Sequence, residues 1–326
     1  MSALHVRHFD RPPRATRQWS AAAMAMIALV GAALLLRLTI RDRLPGLATL
    51  YYAVPLPVAV AVAAVASAIW FALRRRWLGG GALGLALLCL AWMVVDASLR
   101  RIIKRIPVAE DQPALRVLLW NVSSGAFGLE HIETMVRESR ADVAAFVEAR
   151  QPGEWMENWW RKTFPAHRYH GFGNGMVVLS RFPISDARFE PFGDLGRCGS
   201  LRVDFGGREP LTVALIDIQH YVFSSRAGAL HGLDDWVTAH RGEPMLVLGD
   251  FNTPPDSVHF EPLRGKLTNA WALAAPHRYS PTWPSILPVL ALDQIWVSSR
   301  VEVRTIEKRA TIVSDHLPLV AEIAVE

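Results

Sequence analysis

The sequence predicts a mixed α/β sheet sandwich preceded by a membrane-spanning segment. Two observations carry that prediction. The chain changes character abruptly at Gln112, and beyond that point short apolar runs alternate with helical patterns. With 51% hydrophobic residues and a mean hydropathy of +0.19, the 326-residue chain is more apolar than an ordinary soluble protein. The excess is local, because Met1 to Gln112 reads as apolar stretches broken by arginines, whereas the rest reads as a normal globular mixture.

Charge divides at the same place. The first 112 residues hold 14 Lys+Arg against 5 Asp+Glu, and the remainder holds 21 against 25. The sequence pI of about 9.5 therefore belongs to the apolar region. A slightly acidic globular part argues against tight non-specific nucleic-acid binding, which depends on neutralising phosphates. The two cysteines, Cys89 in an apolar run and Cys198 alone in the globular part, make neither a disulfide framework nor a cysteine metal site.

Within the apolar region, three uncharged stretches stand out: Trp19 to Leu36, Leu47 to Leu73 and Leu78 to Val95. A helix needs roughly 20 apolar residues to cross the hydrocarbon core, and about 17 at the lower limit. Three spans are expected, the second kinked by Pro55 and Pro57 and joined to the third by the short link Arg74-Arg75-Arg76-Trp77. Arg7, Arg11, Arg14 and Arg17 precede the first run as they would a signal peptide. That run is too long for one, and no cleavage site precedes Arg37. Arginines at every end of the runs oppose the reading of a buried soluble helical domain.

The resulting organisation is a basic tail over 1–18, a three-helix anchor over 19–99, a linker over 100–112 and a globular domain over 113–326, integral to a cell (inner) membrane. Counting positive charges near the spans gives seven on each side. The triple arginine in so short a loop is awkward to translocate. The expectation is therefore a cytoplasmic N-terminus and an extracytoplasmic globular domain.

In the globular part, apolar runs at Leu115–Leu119, Val143–Phe146, Met176–Leu179, Leu211–Ile216, Met245–Leu248, Leu292–Val297 and Leu317–Ile323 read as strands. Leu129 to Val136 and Leu230 to Val237 have helical spacing. Many short strands with few helices give a mixed α/β sandwich.

Polar residues recur where these strands end. Asn121 closes LRVLLWN, Glu148 closes ADVAAFVE, His220 closes TVALIDIQH, and Asp250 and Asn252 close MLVLGDFN. Asp293 interrupts LALDQIWV, and Asp315 and His316 open SDHLPL. Acidic, amide and imidazole groups emerging together from buried strands are what a catalytic site needs.

This ordered set resembles the endonuclease/exonuclease/phosphatase superfamily, over Leu115 to Ala324, and SPTWPSILPVLALDQIWVS resembles membrane-anchored bacterial members. The resemblance implies a four-layer α/β sandwich, two packed mixed sheets flanked by helices, after three transmembrane helices. It also implies hydrolysis of a phosphoester with Mg²⁺ or Mn²⁺. Hard divalent cations take oxygen ligands, and one or two carboxylates suffice. By resemblance Glu148 is the principal metal ligand, with Asn121 and Asp315 close to the metal or its waters. Asp250 is the base that activates water, and Asn252 orients that water or a phosphoryl oxygen. His316 contacts the scissile phosphate with Asp293 supporting it, and His220 is a second phosphate-side histidine.

Two positions depart from the family pattern. Val147 stands where a glutamine usually precedes the glutamate, and Gln294 stands where a histidine commonly follows the aspartate. Both bear on substrate fit, since neither removes a ligand. Asn174, in Gly171-Phe-Gly-Asn-Gly, is read either as reaching substrate or as a plain glycine-rich turn. Arg181 is read either as a phosphate contact or as a salt-bridging residue. The tryptophans at 155, 159 and 160 fit a packing helix face better than a base-stacking platform, and the bilayer interface, where Trp is favoured, is a further reading. The anchor favours a lipid-linked phosphate as substrate; a nuclease acting on DNA or RNA is the alternative, and a non-catalytic binding module on the same fold is the third. Oligomeric state has no signal in the sequence.

Overall fold

The computed structural model describes residues 13–99, 114–125, 128–149, 153–206, 209–221, 223–274 and 280–325. The linker expected over 100–112 and most of the basic tail lie outside these. Two compact units divide the chain: Met1–Ile40 with Ala53–Val95, and Arg41–Tyr52 with Asp96–Glu326.

The first unit is helical. Helix α1 runs over Arg14–Leu38, α3 over Leu56–Ala72 and α4 over Arg76–Leu99, while α2, over Pro45–Ala53, falls with the second unit except for its last residue. Small residues lie at its centre, with Ala23, Ala66 and Ala82 packed around Trp70. Small side chains let apolar helices approach closely. The Ser67 hydroxyl donates to the Gly79 carbonyl at 2.8 Å, which satisfies a polar group inside this apolar unit.

Residues 14–38 and 76–95 form helices long and apolar enough to cross a membrane, with window hydropathies of 2.2 and 2.1. A third span exists only if α2 and α3 count as one bent pair. The break falls at Val54-Pro55, where the sequence places its kink: Pro55 cannot supply the helical N–H.

The second unit contains two six-stranded sheets. Its strands are β1 (Ala114–Asn121), β2 (Val143–Val147), β3 (Tyr169–Gly173), β4 (Met176–Ser180), β5 (Ile184–Phe192) and β6 (Gly196–Val203). They continue with β7 (Leu211–Ile218), β8 (Met245–Asp250), β9 (Thr268–Asn269), β10 (Asp293–Val297), β11 (Val301–Lys308) and β12 (Leu319–Val325). One sheet has the order β11-β12-β1-β2-β4-β3, the other β5-β6-β7-β8-β10-β9. Both are mixed: β1 and β2 are parallel, as are β7 and β8, while the remaining neighbours are antiparallel.

Side-chain alternation sorts the layers, because residues two apart share a face. Leu115, Val117 and Leu119 of β1 point between the sheets with Val213 and Leu215 of β7, Leu246 and Leu248 of β8, and Ile295 of β10. Leu118 and Trp120 face outward with Ala144 and Phe146 against helices α5 (Leu129–Ser139) and α6 (Glu154–Thr163). On the other sheet Ala214, Ile216, Met245 and Val247 face α7 (Ala227–Ala239). With both faces of each sheet covered, the central strands read as continuous apolar runs. This is the expected four-layer sandwich. Trp160 is buried against Phe146, their rings 5.0 Å apart, so the tryptophan helix is a packing element, although Trp155 on its other side is exposed.

Arg41–Tyr52, which the sequence places inside the anchor, groups with the sandwich. Asp42 is only 2% exposed and accepts hydrogen bonds from the Tyr52 hydroxyl at 2.8 Å and the Val258 N–H at 3.0 Å. The Tyr51 hydroxyl donates to Asp256 Oδ2 at 2.8 Å. A buried carboxylate with two hydrogen bonds ties this segment to the loop that follows β8.

Candidate active site

The inward-facing pattern of the central strands continues one step further into polar groups. On β1 it runs through Val117 and Leu119 to Asn121, on β7 through Val213 and Leu215 to Asp217, and on β8 through Leu246 and Leu248 to Asp250. β10 runs the other way and begins with Asp293 before Ile295. The candidate site is thus the polar cap of the inter-sheet core, at the carboxyl ends of its parallel strands. Register aligns the cap: Arg197 pairs with Asp217, Asp217 with Asp250, and Asp250 with Asp293 across four adjacent strands.

Hydrogen bonds join the two sheets there. Asn121 Nδ2 donates to Glu148 Oε1 at 3.0 Å and to Asp250 Oδ2 at 2.9 Å. Asp250 Oδ1 accepts from the Asn252 N–H at 2.9 Å, and Asn252 Nδ2 donates to the Ile218 carbonyl at 2.8 Å. His316 Nδ1 lies 2.8 Å from Asp293 Oδ2, and its Nε2 lies 3.8 Å from Asp250 Oδ2. Asp315 bonds to the Ser123 hydroxyl and to Trp283 Nε1, the latter at 3.1 Å; Ser123 N–H in turn donates to Asn121 Oδ1 at 3.0 Å. Asn121, Glu148, Asp250, Asn252, Asp293, Asp315 and His316 therefore form one connected network. His220 stands apart as an exposed ring just beyond β7, near enough to Asp217 to influence its charge.

The backbone is shaped for this convergence. Glu148 and Asn252 have φ of 49° and 45°, the left-handed region that L residues seldom adopt. Such conformations cost on the order of 1–3 kcal/mol each and persist where surrounding structure enforces them. Gly249, at φ 150°, has a stricter role: a Cβ there would fall 1.9 Å from the Ile216 carbonyl oxygen. Only glycine lets β8 pass so close to β7 immediately before Asp250.

Electrostatics follow from burial. Burial works against a charged His316, but the Asp293 and Asp250 carboxylates overcome it and push its pKa up to about 10. Asp250 is wholly buried, and burial holds its pKa well above the usual carboxylate range against the pull of His316. Burial likewise pushes Asp217 up to about 6, opposed by Arg197, whose Nη2 lies 2.7 Å from its Oδ2.

This donor set fits a divalent cation. Carboxylates dominate the cap, and Asp293 Oδ1 is buried with no hydrogen-bond partner among the described residues. Ligand atoms of Asp250, Asp293 and His316 lie within 4.8 Å of one another. However, His316 bridges the two aspartates and is held charged by them, and an imidazolium offers no lone pair. The half-buried Glu148, with one oxygen turned to Asn121, is the better seat for a hard cation.

A family model described as "Endonuclease/Exonuclease/phosphatase family" matches residues 118–316. The chain belongs to this family. It is accordingly a metal-dependent hydrolase of phosphoester bonds. Among solved structures, an endonuclease/exonuclease/phosphatase from Beutenbergia cavernae is similar at 20% identity and a TM-score of 0.53, over 65% of this chain and 72% of that one. The catalytic domain of human Nocturnin with bound sulfate is similar at 18% identity and 0.50, over 70% and 98%. A mannosyl-6-phosphatase from Bacteroides thetaiotaomicron is similar at 15% identity and 0.51, over 64% and 99%. These likenesses extend the fold assignment. No curated protein matched the chain.

Several positions are settled by this geometry. Arg181 pairs with Asp142 at 3.2 Å, at the start of β2 and so at the end opposite Glu148; it is the salt-bridging residue and not a phosphate contact. Asn174 donates to the Phe189 carbonyl at 3.0 Å, which ties the turn between β3 and β4 to β5. Gln294 is buried, bonding the Thr253 carbonyl at 2.6 Å and accepting from Trp296 at 3.0 Å, so it secures the loop after β8. Asp217 and Arg197 join the cap in addition to the residues expected from the sequence. The signal was present in Asp217, an acid inside an otherwise apolar strand, whereas nothing in the sequence singles out Arg197.

Proposed function

We propose that this family member is a membrane-anchored phosphoesterase, dependent on Mg²⁺ or Mn²⁺, that hydrolyses a lipid-linked phosphate. The observation that carries the reading is the polar cap itself: a carboxylate-rich network closing the core of a domain that shares its chain with membrane-length apolar helices.

Glu148, with Asn121 and Asp315 beside it, would hold the cation, which when bound neutralises phosphate charge and polarises the phosphorus–oxygen bonds. Asp250 accepts the proton of the attacking water through a lone pair not used by Asn121 or Asn252. Asn121 and Asn252 fix the direction of that carboxylate. His316, kept charged by Asp293, faces the phosphoryl oxygens, where a fixed positive group stabilises charge that grows during in-line attack. His220, at the edge of the cap, supplies a second imidazole to the phosphate side.

The acidic balance of residues 113–326 supports a lipid-linked substrate over a polyanionic nucleic acid. The test is a hydrolysis screen of the full-length protein in detergent micelles with Mg²⁺. Its arms are phosphatidic acid and polyprenyl phosphates, single- and double-stranded DNA, RNA, and inositol phosphates. Turnover concentrated in the lipid arms supports the proposal; turnover of DNA or RNA alone would replace it with the nuclease reading, and binding without turnover in any arm with the non-catalytic one.

A further inference from the structure

Exposed apolar residues of the sandwich are not scattered. Among the described residues of 113–326, the exposed large hydrophobics are Trp155, Tyr169, Tyr221, Phe223, Ile286, Leu287 and Ile312. All but Tyr169 sit on segments that adjoin the polar cap in sequence. Trp155 opens the helix after Glu148, Tyr221 and Phe223 follow His220, and Ile312 precedes Asp315. Ile286 and Leu287 cap the turn whose Ser285 N–H donates to the Asp315 carbonyl at 2.8 Å. Tyr169 pairs with Ser180, at the opposite end of the sheet.

These apolar tips are held out by construction. The buried guanidinium of Arg226 donates from Nη1 to the carbonyls of both Tyr221 and Ser224, at 2.5 Å each, which fixes the loop bearing Phe223. Trp283 bonds Asp315 through Nε1, and Val289 and Leu290 donate back to the Trp283 carbonyl at 2.8 and 2.9 Å, which fixes the turn bearing Ile286 and Leu287. Phe223, Ile286 and Ile312 are 76%, 87% and 82% exposed. Braced loops presenting such side chains to water around one site mark an interaction surface.

We infer that Phe223, Ile286, Leu287 and Ile312 form a rim that enters the interfacial layer of a phospholipid bilayer and delivers the head-group phosphate of a lipid to the polar cap. The inference rests on the lipid-linked reading above. A bilayer is the occupant because the same chain carries helices long and apolar enough to cross one. Apolar and aromatic tips on a braced support match the boundary between head groups and acyl chains.

The test uses full-length protein reconstituted in phosphatidylcholine–phosphatidylglycerol vesicles. Phe223→Cys and Leu287→Cys variants are labelled with an environment-sensitive fluorophore, and Tyr169→Cys serves as the reference; both native cysteines are buried. Thermal unfolding matching the parent shows that each variant is folded. Insertion of roughly 5–10 Å should let a lipid-borne quencher lower rim emission by at least about twofold, with the reference nearly unaffected. Rim probes open to aqueous iodide and untouched by the lipid quencher overturn the inference. Rim probes shielded from both quenchers also overturn it, because protein rather than lipid would then cover the rim. Lipid quenching at the rim together with no hydrolysis of any lipid phosphate upholds the surface and removes the proposed substrate. Lipid hydrolysis without rim quenching does the reverse.

Discussion

Asp250 and Glu148 both contact the Asn121 amide, yet the proposed mechanism gives them different work. Asp250 is enclosed between Asn121, Asn252 and His316, while Glu148 is half-buried on a left-handed turn at the mouth of the cap. Asp250→Asn keeps volume and removes the proton acceptor, so turnover should fall by about 10²–10⁴-fold with little loss of substrate affinity. Glu148→Gln should weaken metal binding instead, and raised Mg²⁺ should recover part of its activity. Steady-state kinetics against Mg²⁺ concentration separate the two; near-normal turnover in Asp250→Asn would assign the base elsewhere. The Arg197–Asp217 pair belongs to the same scale. Removing one partner of a buried pair costs about 3–5 kcal/mol, and Arg197→Met should fall at the lower end because its side chain is 27% exposed. Denaturant unfolding measures it, and an unchanged midpoint would mean that the pair is not holding the cap together.

At the scale of elements, legibility followed burial. Central strands such as β2, β7 and β8, covered on both faces, were plain as apolar runs, and their polar terminal residues announced the site. The edge strand β5 was not, being largely exposed and carrying Pro191, and its mostly buried neighbour β6 begins Gly-Arg-Cys-Gly and shows no apolar run either. Cross-strand pairing more than an apolar run defines both, and pairing is invisible in one sequence. The same limit hid Arg197, which reaches the cap only through its register with Asp217. It also hid the attachment of Arg41–Tyr52, because Asp42 finds its Val258 partner 216 residues away. Gly249 marks where element geometry and chemistry meet. Gly249→Ala must separate β7 from β8 to accommodate its Cβ, and overpacking of this kind costs about 1–3 kcal/mol or more. Lower stability together with lost activity is expected from unfolding and turnover assays; a stable, active Gly249→Ala protein would contradict the strand spacing.

At the scale of the whole molecule, the count of spans decides where the site works. Three crossings put the two termini on opposite sides, whereas two crossings, by α1 and α4 alone, put them on the same side. On the proposed three-span arrangement, a reporter before Met1 is cytoplasmic and one after Glu326 is extracytoplasmic. Reporters on the same side would show that Pro45–Ala72 does not cross.

If the polar cap is a divalent-metal site for phosphoester hydrolysis, turnover depends on the ion and on Asp250 alike. The most direct measurement is phosphate release by the full-length protein, stripped with EDTA and then titrated with Mg²⁺, wild type beside Asp250→Asn. A divalent-metal site requires loss of turnover on chelation, recovery with Mg²⁺ in the wild type, and failure of Mg²⁺ to restore Asp250→Asn. Full activity after exhaustive chelation, or equal recovery in both proteins, would contradict it.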